Sequence, residues 1–353
     1  MSTNLITNLG CVVVQLVDFV TSDRMYLLDH VSKIDDSEQD LEHTRPLFRF
    51  LQSKMRKYAK YVGFDYQRFD ANVGKLNGDN MSYPLDVKIS TDYQCILVCD
   101  QLKNRIVVFD YNTLKQKKVI DWHSDSVRPR YMAIEIIDSR ELYLYFTNTK
   151  FGVVKCKLST LLCDSKDKFA VPDIKEWTRK VTDPQGLTIK YRPYNQNLIL
   201  VCEKTEKQIQ FLDSNTGSVL RSISLASDLL GPWSISFNSL GDLIIGDCDK
   251  RKIFVLRQDG DSYTVVNSFG TFKDIYGLSI DYSNDYIYAS DFANAIQVFT
   301  PTGELVKKIT HGSIINPIGI HIDNKGGRLL FSDYSSMHLV CLASPGSFDT
   351  TNQ

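Results

Sequence analysis

The residues able to do chemistry in this 353-residue chain are scattered, but they recur. Asp100, Asn148, Glu203, Asp247, Asp291 and Asp333 each close a short apolar run, 48, 55, 44, 44 and 42 residues apart. Carboxylates repeated in this way have two uses. Converging on one point they hold a hard cation and activate a bound water. Followed by a polar loop they accept hydrogen bonds from the backbone N–H groups of that loop, as in an Asx-turn. The turn is the plainer role here, because a polar loop follows each of them.

A second set lies in the runs LDVKI, YMAIEI, GLTIK, WSISF, GLSID and IGIHI: Asp86, Lys88, Glu135, Lys190, Asp281 and His321. Asp86, Glu135 and Asp281 would serve metal-assisted hydrolysis if they approached one another. Asp281, however, ends its run, where a turn role is more natural, and the set is mixed in sign. A zinc centre would need several histidines, and a lone strand histidine is more often a hydrogen-bonded core residue. No nucleophile elbow, phosphate loop or HExxH motif is present. No catalytic residue, metal site or cofactor is therefore assigned, and a metal-dependent hydrolase remains an alternative.

A third set can bind. Lys103, Arg105, Arg128, Arg130, Lys150, Lys204, Lys207, Lys250, Arg251 and Lys252 crowd the loops of the first four repeats, while Phe292, Asn294, Tyr334, Ser335 and Ser336 occupy those of the last two. Cations beside exposed rings suit an acidic peptide, or single-stranded RNA that stacks its bases and places its phosphates on the cations. Asp100, Glu203, Glu206, Asp247 and Asp249 share these loops, so ordinary solvated, self-neutralised loop charge competes with both readings.

These residues must be positioned by something, and the chain repeats itself from residue 80 onward. Six units share a Pro or Gly turn, a short apolar strand, a second strand ending at the acidic or Asn anchor, a polar loop and a third strand. Examples are YPLDVKIS…CILVCDQLKNRIVVFD and IYGLSIDY…YIYASDFANAIQVFT. Strands of four to six β-branched or aromatic residues at this spacing are the signature of a propeller blade, and no helix is expected inside the units. Fourth strands read as QKKVIDW, SVLRSISL, YTVVNSFG and ELVKKIT. The last unit has none before ASPGSFDTTNQ, and an open strand edge invites aggregation. The expectation is that an N-terminal strand, placed at Tyr66 to Asp70, closes the ring. Pro84, Pro184, Gly186, Pro232, Gly277, Pro317 and Gly319 shape the start of the inner strands near a crowded axis. The domain division is thus an extension over 1–63, a six-bladed β-propeller over 64–345 and a tail over 346–353.

The phrase Asp-Gln-Leu-Lys-Asn-Arg-Ile-Val-Val-Phe-Asp at residues 100 to 110 resembles the core of an NHL repeat, and SDFANAIQVF at 290 to 299 is a second good copy. The likeness covers about residues 65 to 342. Unit two departs from it, with Asn148 for Asp, and LLFSD in unit six is similar to the YWTD propellers of receptor ectodomains. NHL propellers occur in tripartite-motif ubiquitin ligases and translational repressors, where they bind protein or RNA; related six-bladed folds include lactonases and an amidating lyase. The resemblance implies a six-bladed shape and an interaction module, with substrate recognition in a ubiquitin-ligase assembly as its setting.

Residues 1–63 do not repeat. PLFRFLQSKMRKYAKYV carries Leu47, Leu51, Met55, Tyr58 and Val62 at helical spacing, so a short helical extension packed on the propeller is expected. A formal net charge of −1 excludes a global basic field. No signal peptide or membrane-length apolar run is seen, and the eight cysteines contain no CxxC pair. Reduced, buried thiols in an intracellular, most simply cytoplasmic, monomer follow from this.

Overall fold

The computed structural model describes residues 64–68, 75–76 and 81–343, apart from breaks at 123–126, 138–140, 164–167, 170–174, 193–195, 225–227, 313 and 336–337. The helix expected around Leu47 to Val62 lies outside the described residues.

A two-residue strand, β1 (Lys75–Leu76), precedes six antiparallel sheets. Blade one is β2 (Pro84–Ser90), β3 (Cys95–Asp100), β4 (Arg105–Asp110) and β5 (Gln116–Trp122). Blade two is β6 (Met132–Ile136), β7 (Leu142–Asn148), β8 (Gly152–Lys157) and, after an insertion, β10 (Lys175–Arg179). Blade three is β11 (Pro184–Lys190), β12 (Leu198–Glu203), β13 (Gln208–Asp213) and β14 (Val219–Ser224). Blade four is β15 (Pro232–Phe237), β16 (Leu243–Asp247), β17 (Lys252–Asp259) and β18 (Ser262–Phe269). Blade five is β19 (Ile275–Asp281), β20 (Tyr286–Asp291), β21 (Ala295–Phe299) and β22 (Leu305–Ile309). Blade six is β23 (Pro317–Asp323), β24 (Arg328–Asp333) and β25 (His338–Ala343), with β1 as its outer strand. The inner strands touch in the order β2, β6, β11, β15, β19, β23 and back to β2, so the sheets form a six-bladed propeller around an axial channel.

The residue pattern follows radial position. Second strands such as CILVCD and LILVCE are buried along their whole length, because neighbouring blades cover both faces. The outer strand VLRSIS alternates half-buried and exposed residues, as a one-sided strand must. Hydrophobic clusters therefore lie between blades, as at the seam of Tyr131, Val153, Leu187 and Val201. Each fully buried aliphatic or Phe side chain there contributes about 1.5–3 kcal/mol.

Ring closure differs from expectation in position. The closing strand is Lys75–Leu76, pairing with Val340 and Leu339 of β25, and not Tyr66 to Asp70. Phe64 and Tyr66 instead pack on blade five, with rings 6.2 Å from Tyr288 and 5.7 Å from Tyr286. A buried side-chain seam reinforces closure between blades six and one. Arg328 donates from Nε to Asp323 Oδ2 (2.7 Å) and from Nη1 to the Tyr111 carbonyl (2.8 Å), and the Tyr111 hydroxyl donates to Asp323 Oδ1 (3.1 Å).

Unit two also departs. A helix, α1 (Leu158–Cys163), interrupts it with Leu158 and Leu161 buried, and β9 (Lys168–Phe169) pairs in parallel with β5 of blade one before β10 completes the blade. This insertion accounts for the long 55-residue interval from Asn148 to Glu203. No helix was expected there; α1 survives at six residues because Leu158 and Leu161 join the hydrophobic cluster between blades one and two, and the Lys118 ammonium donates to the Leu161 carbonyl (3.0 Å).

Candidate functional site: an aromatic crescent at one mouth of the channel

The six anchors lie where the sequence places them, at the ends of the second strands, and all are buried. Asp247 accepts forward, from the N–H groups of Asp249 (3.0 Å) and Lys250 (2.8 Å), as an Asx-turn requires. It also accepts backward, from Leu230 (2.7 Å) and Gly231 (3.0 Å) in the link from the previous blade. Asp100, Glu203, Asp291 and Asp333 make the same backward contacts, to Ser82 and Tyr83, Thr182, Lys273, and Ile315 and Asn316 respectively. In blade two, Asn148 accepts from Lys150 and Phe151, and the Tyr131 N–H donates to Thr147 Oγ1. These carboxylates clamp the 2–3 loop and the blade link together, and so build one face of the propeller.

On that face six rings form a continuous chain. Centroid separations are 6.4 Å for Tyr131 to Trp233, 5.0 Å for Trp233 to Tyr276, 5.5 Å for Tyr276 to Phe292, 6.1 Å for Phe292 to Tyr334 and 4.5 Å for Tyr334 to Tyr83. Most contacts are edge-to-face, the arrangement that ring quadrupoles favour. Trp233 and Tyr276 sit where the inner strand slips register against the second strand, between Pro232 and Ser234 and between Ile275 and Leu278. The blade-three counterpart is Gln185, whose Oε1 accepts from Arg130 Nη2 (2.7 Å) and whose Nε2 donates to Asp183 Oδ1 (2.7 Å). Tyr83, Trp233, Tyr276 and Phe292 are half-buried and Tyr334 is exposed, so the rings are held by one another and still present surface.

Three cations flank the rings. Arg130 and Lys204 stand 5.8 and 5.1 Å from the Trp233 ring, and Lys273 stands 5.8 Å from Phe292. Two of them already have carboxylate neighbours: Arg130 lies 3.5 Å from Asp183 and Lys204 3.3 Å from Asp249. Burial pushes the Tyr276 phenol up to about 12, helped by Asp274, and raises that of Tyr83, helped by Tyr334. Both hydroxyls thus stay protonated at neutral pH and available as donors.

Of the residues singled out in the sequence, the crescent gathers Arg130, Lys204, Phe292 and Tyr334. Arg105 is instead tied to its own anchor, Nε to Asp100 Oδ2 at 2.9 Å, with little of its side chain exposed. Lys207 and Arg251 occupy left-handed turn positions (φ 52° and 57°), where the loop constrains the backbone. Arg128 is exposed, and its N–H donates to Asn104 Oδ1 (2.7 Å). Lys150 lies over Phe151 (5.2 Å) and Lys250 over Phe254 (5.7 Å). Lys103 and Arg251 are exposed in the surrounding loops, and Lys252 is exposed at the start of β17.

The channel carboxylates are dispersed. Asp86 bonds Lys88 through both oxygens (2.8 Å each) and accepts from the Met132 N–H (2.8 Å). Glu135 lies at the seam of blades two and three, accepting from Tyr145 (2.6 Å) and Asn197 (2.8 Å) with Lys155 at 3.6 Å. Asp281 closes a turn on Ser283. Lys190 reaches Gln258 (2.6 Å) in blade four. Among the described residues no three of His, Cys, Asp or Glu are grouped to hold a metal ion. The seven described cysteines are free thiols, all buried except Cys163. No described helix is long and apolar enough to cross a membrane.

The six sheets define an all-β six-bladed propeller. No protein-family model and no curated protein matches the chain. Solved structures do: a streptogramin B lyase (12% identity, 79% of this chain and 99% of that one, TM-score 0.53), a virginiamycin B lyase from Staphylococcus aureus (18%, 77% and 85%, 0.53), and the propeller domain of Cps50 (Swd1) from Myceliophteria thermophila (11%, 78% and 99%, 0.56). At these identities the likeness is one of fold.

Proposed function

We propose that this chain is an NHL-type interaction module that holds a short peptide of a protein partner on the aromatic face. The observation that carries the reading is the unbroken run of rings from Tyr131 to Tyr83 across five blades at the channel mouth. Half-buried aromatics on a rigid frame are the usual anchors of binding energy, since they lose little conformational freedom on contact. Arg130, Lys204 and Lys273 favour a peptide with acidic residues near its apolar ones. Recognition of a substrate in a ubiquitin-ligase assembly, inside the cell, is the setting that the NHL resemblance suggests. The carboxylates beside Arg130 and Lys204 weigh against single-stranded RNA, whose affinity comes from continuous phosphate neutralisation. The spread of Asp86, Glu135 and Asp281 weighs against a channel-metal hydrolase. Lys103, Arg128, Lys150, Lys207, Lys250, Arg251 and Lys252 take the role of a basic rim that steers an acidic partner.

The test is selection of linear peptides from a displayed library on the full chain, followed by titration of the selected peptide by fluorescence anisotropy. Trp233→Ala and Tyr334→Ala should each weaken binding by about thirtyfold or more, the size of a hot-spot truncation. Replacing Arg251 and Lys252 with Glu should reduce mainly the association rate. Peptide binding indifferent to Trp233 and Tyr334, or competition of the peptide by oligouridylate, overturns the reading.

A further inference from the structure

The other mouth of the channel has a different character. There the 1–2 loops surround a cavity of about 260 Å³, reached from the face opposite the aromatic crescent. Each blade contributes an isoleucine to it: Ile89, Ile134, Ile189, Ile235, Ile280 and Ile322. Five of these share one register position of the inner strand, which Phe237 occupies in blade four, and Ile235 stands two residues before it, so the repeat brings them to one axis. Between the isoleucines the wall carries neutral polar groups, Ser90, Thr188, Ser236, Asn238 and Ser279 among them, and Asp92 and Lys325 stand in its loops with opposite charge. Lys88 has its three N–H groups directed to Asp86 Oδ1, Asp86 Oδ2 and the Val87 carbonyl (2.8, 2.8 and 3.1 Å), so its charge is already answered. Asp323 is held by Arg328, Tyr111 and the Gly326 N–H.

His321 differs from both. It lines the cavity, partly accessible from it, and makes no hydrogen bond to any described residue. Polar groups in protein interiors are ordinarily hydrogen-bonded. Burial, with Lys88 in support, holds this imidazole down to about 3, so at neutral pH it offers one N–H donor and one lone pair without charge. A void with a ring of isoleucines and a small set of polar groups, His321 among them, is the form of a small-molecule site.

We propose that this cavity binds an uncharged, largely apolar small molecule that carries one hydrogen-bonding group for His321. A cation or anion is disfavoured, because Lys88 is occupied by Asp86 and Asp323 by Arg328, and the hydroxyls and amides of the inner wall carry no charge. The site stands on the opposite face from the crescent and does not depend on the peptide reading.

The experiment titrates the full chain with N-phenyl-1-naphthylamine, an uncharged fluorescent probe with a single N–H. One saturable site is expected. Ser236→Trp and Thr188→Trp, which fill the cavity from blades four and three, should each abolish it in chains whose melting curves match the wild type. His321→Phe, which keeps the volume and removes the hydrogen bond, should weaken it about three- to tenfold. Trp233→Ala, at the far mouth, should leave it unchanged. Absence of saturable binding means that the cavity holds only water and overturns the proposal. So does binding that persists in a folded Ser236→Trp or Thr188→Trp chain, or that is lost in Trp233→Ala. Equal or tighter binding of the anionic analogue 1-anilinonaphthalene-8-sulfonate overturns the assignment to uncharged ligands.

Discussion

Asp247 joins two stretches of chain that are separated by a whole hairpin, and its burial makes that junction costly to break. Both oxygens are taken up by the N–H groups of Leu230, Gly231, Asp249 and Lys250. Removing the carboxylate takes the acceptor from four N–H groups, of which that of Gly231 is buried and the others part-buried, and each charge-assisted bond contributes about 1.5–3 kcal/mol. Asp247→Ala is expected to lower unfolding free energy by at least about 3 kcal/mol, with Asp247→Asn losing less because one acceptor oxygen remains. Urea titration of the two variants beside the wild type measures this. A loss under 1 kcal/mol in Asp247→Ala would show that the clamp is dispensable. The forward half of this role is legible in sequence, since an acidic residue before a polar loop has a known local use. The backward half is not, because Leu230 and Gly231 are brought there by the fold. The crescent is illegible for the same reason. Tyr83, Tyr131, Trp233 and Tyr276 are scattered over nearly two hundred residues, and the one local signal is an aromatic residue close to the Pro or Gly that starts an inner strand.

At the scale of elements, periodicity and spacing identify the strands well wherever a blade is regular, and they fail where a contact with another blade decides. Lys75–Leu76 has too few residues to show any alternation; it is a strand only because β25 offers it an unpaired edge and Leu76 finds Val87, Leu330 and Leu339. The six-residue helix α1 is equally invisible. Glycines repeat for a reason of packing that the sequence only hints at. A Cβ on Gly277 would stand 2.1 Å from the Ile318 carbonyl, and one on Gly319 would stand 2.4 Å from that of Leu85, both on the next inner strand. Closure by β1 is the most exposed of these contacts to experiment. A chain starting at residue 60 keeps the closing strand, whereas one starting at residue 79 uncovers β25. The shorter chain is expected to melt several degrees lower and to associate through that edge. Calorimetry with light scattering separates the two; identical behaviour of both chains would assign ring closure to the Arg328, Asp323 and Tyr111 seam alone.

As a whole molecule the propeller sets two unlike surfaces at the ends of one channel, aromatic and cation-flanked at one end, lined by isoleucines and small polar side chains at the other. Between them the axis buries the Asp86–Lys88 pair and approaches His321. The ring therefore carries a pH dependence that its near-neutral net charge would not suggest. His321 titrates near 6.5 in the unfolded chain and is held down to about 3 in the fold. Between those values the unfolded state binds the extra proton, so stability is unaffected above pH 6.5 and falls as the pH drops toward 3. The slope is at most about 1.4 kcal/mol per pH unit, giving a loss of up to about 2 kcal/mol at pH 5. Asp86 works in the opposite sense: burial raises its carboxyl against the pull of Lys88, so the fold binds a proton there more readily than the unfolded chain. Comparing the wild type with His321→Gln cancels that contribution. The difference between the two unfolding free energies should shrink or reverse in favour of the variant between pH 7 and pH 5. A constant difference across that range would mean that the fold accommodates an imidazolium at the axis, and with it that the cavity wall can carry charge.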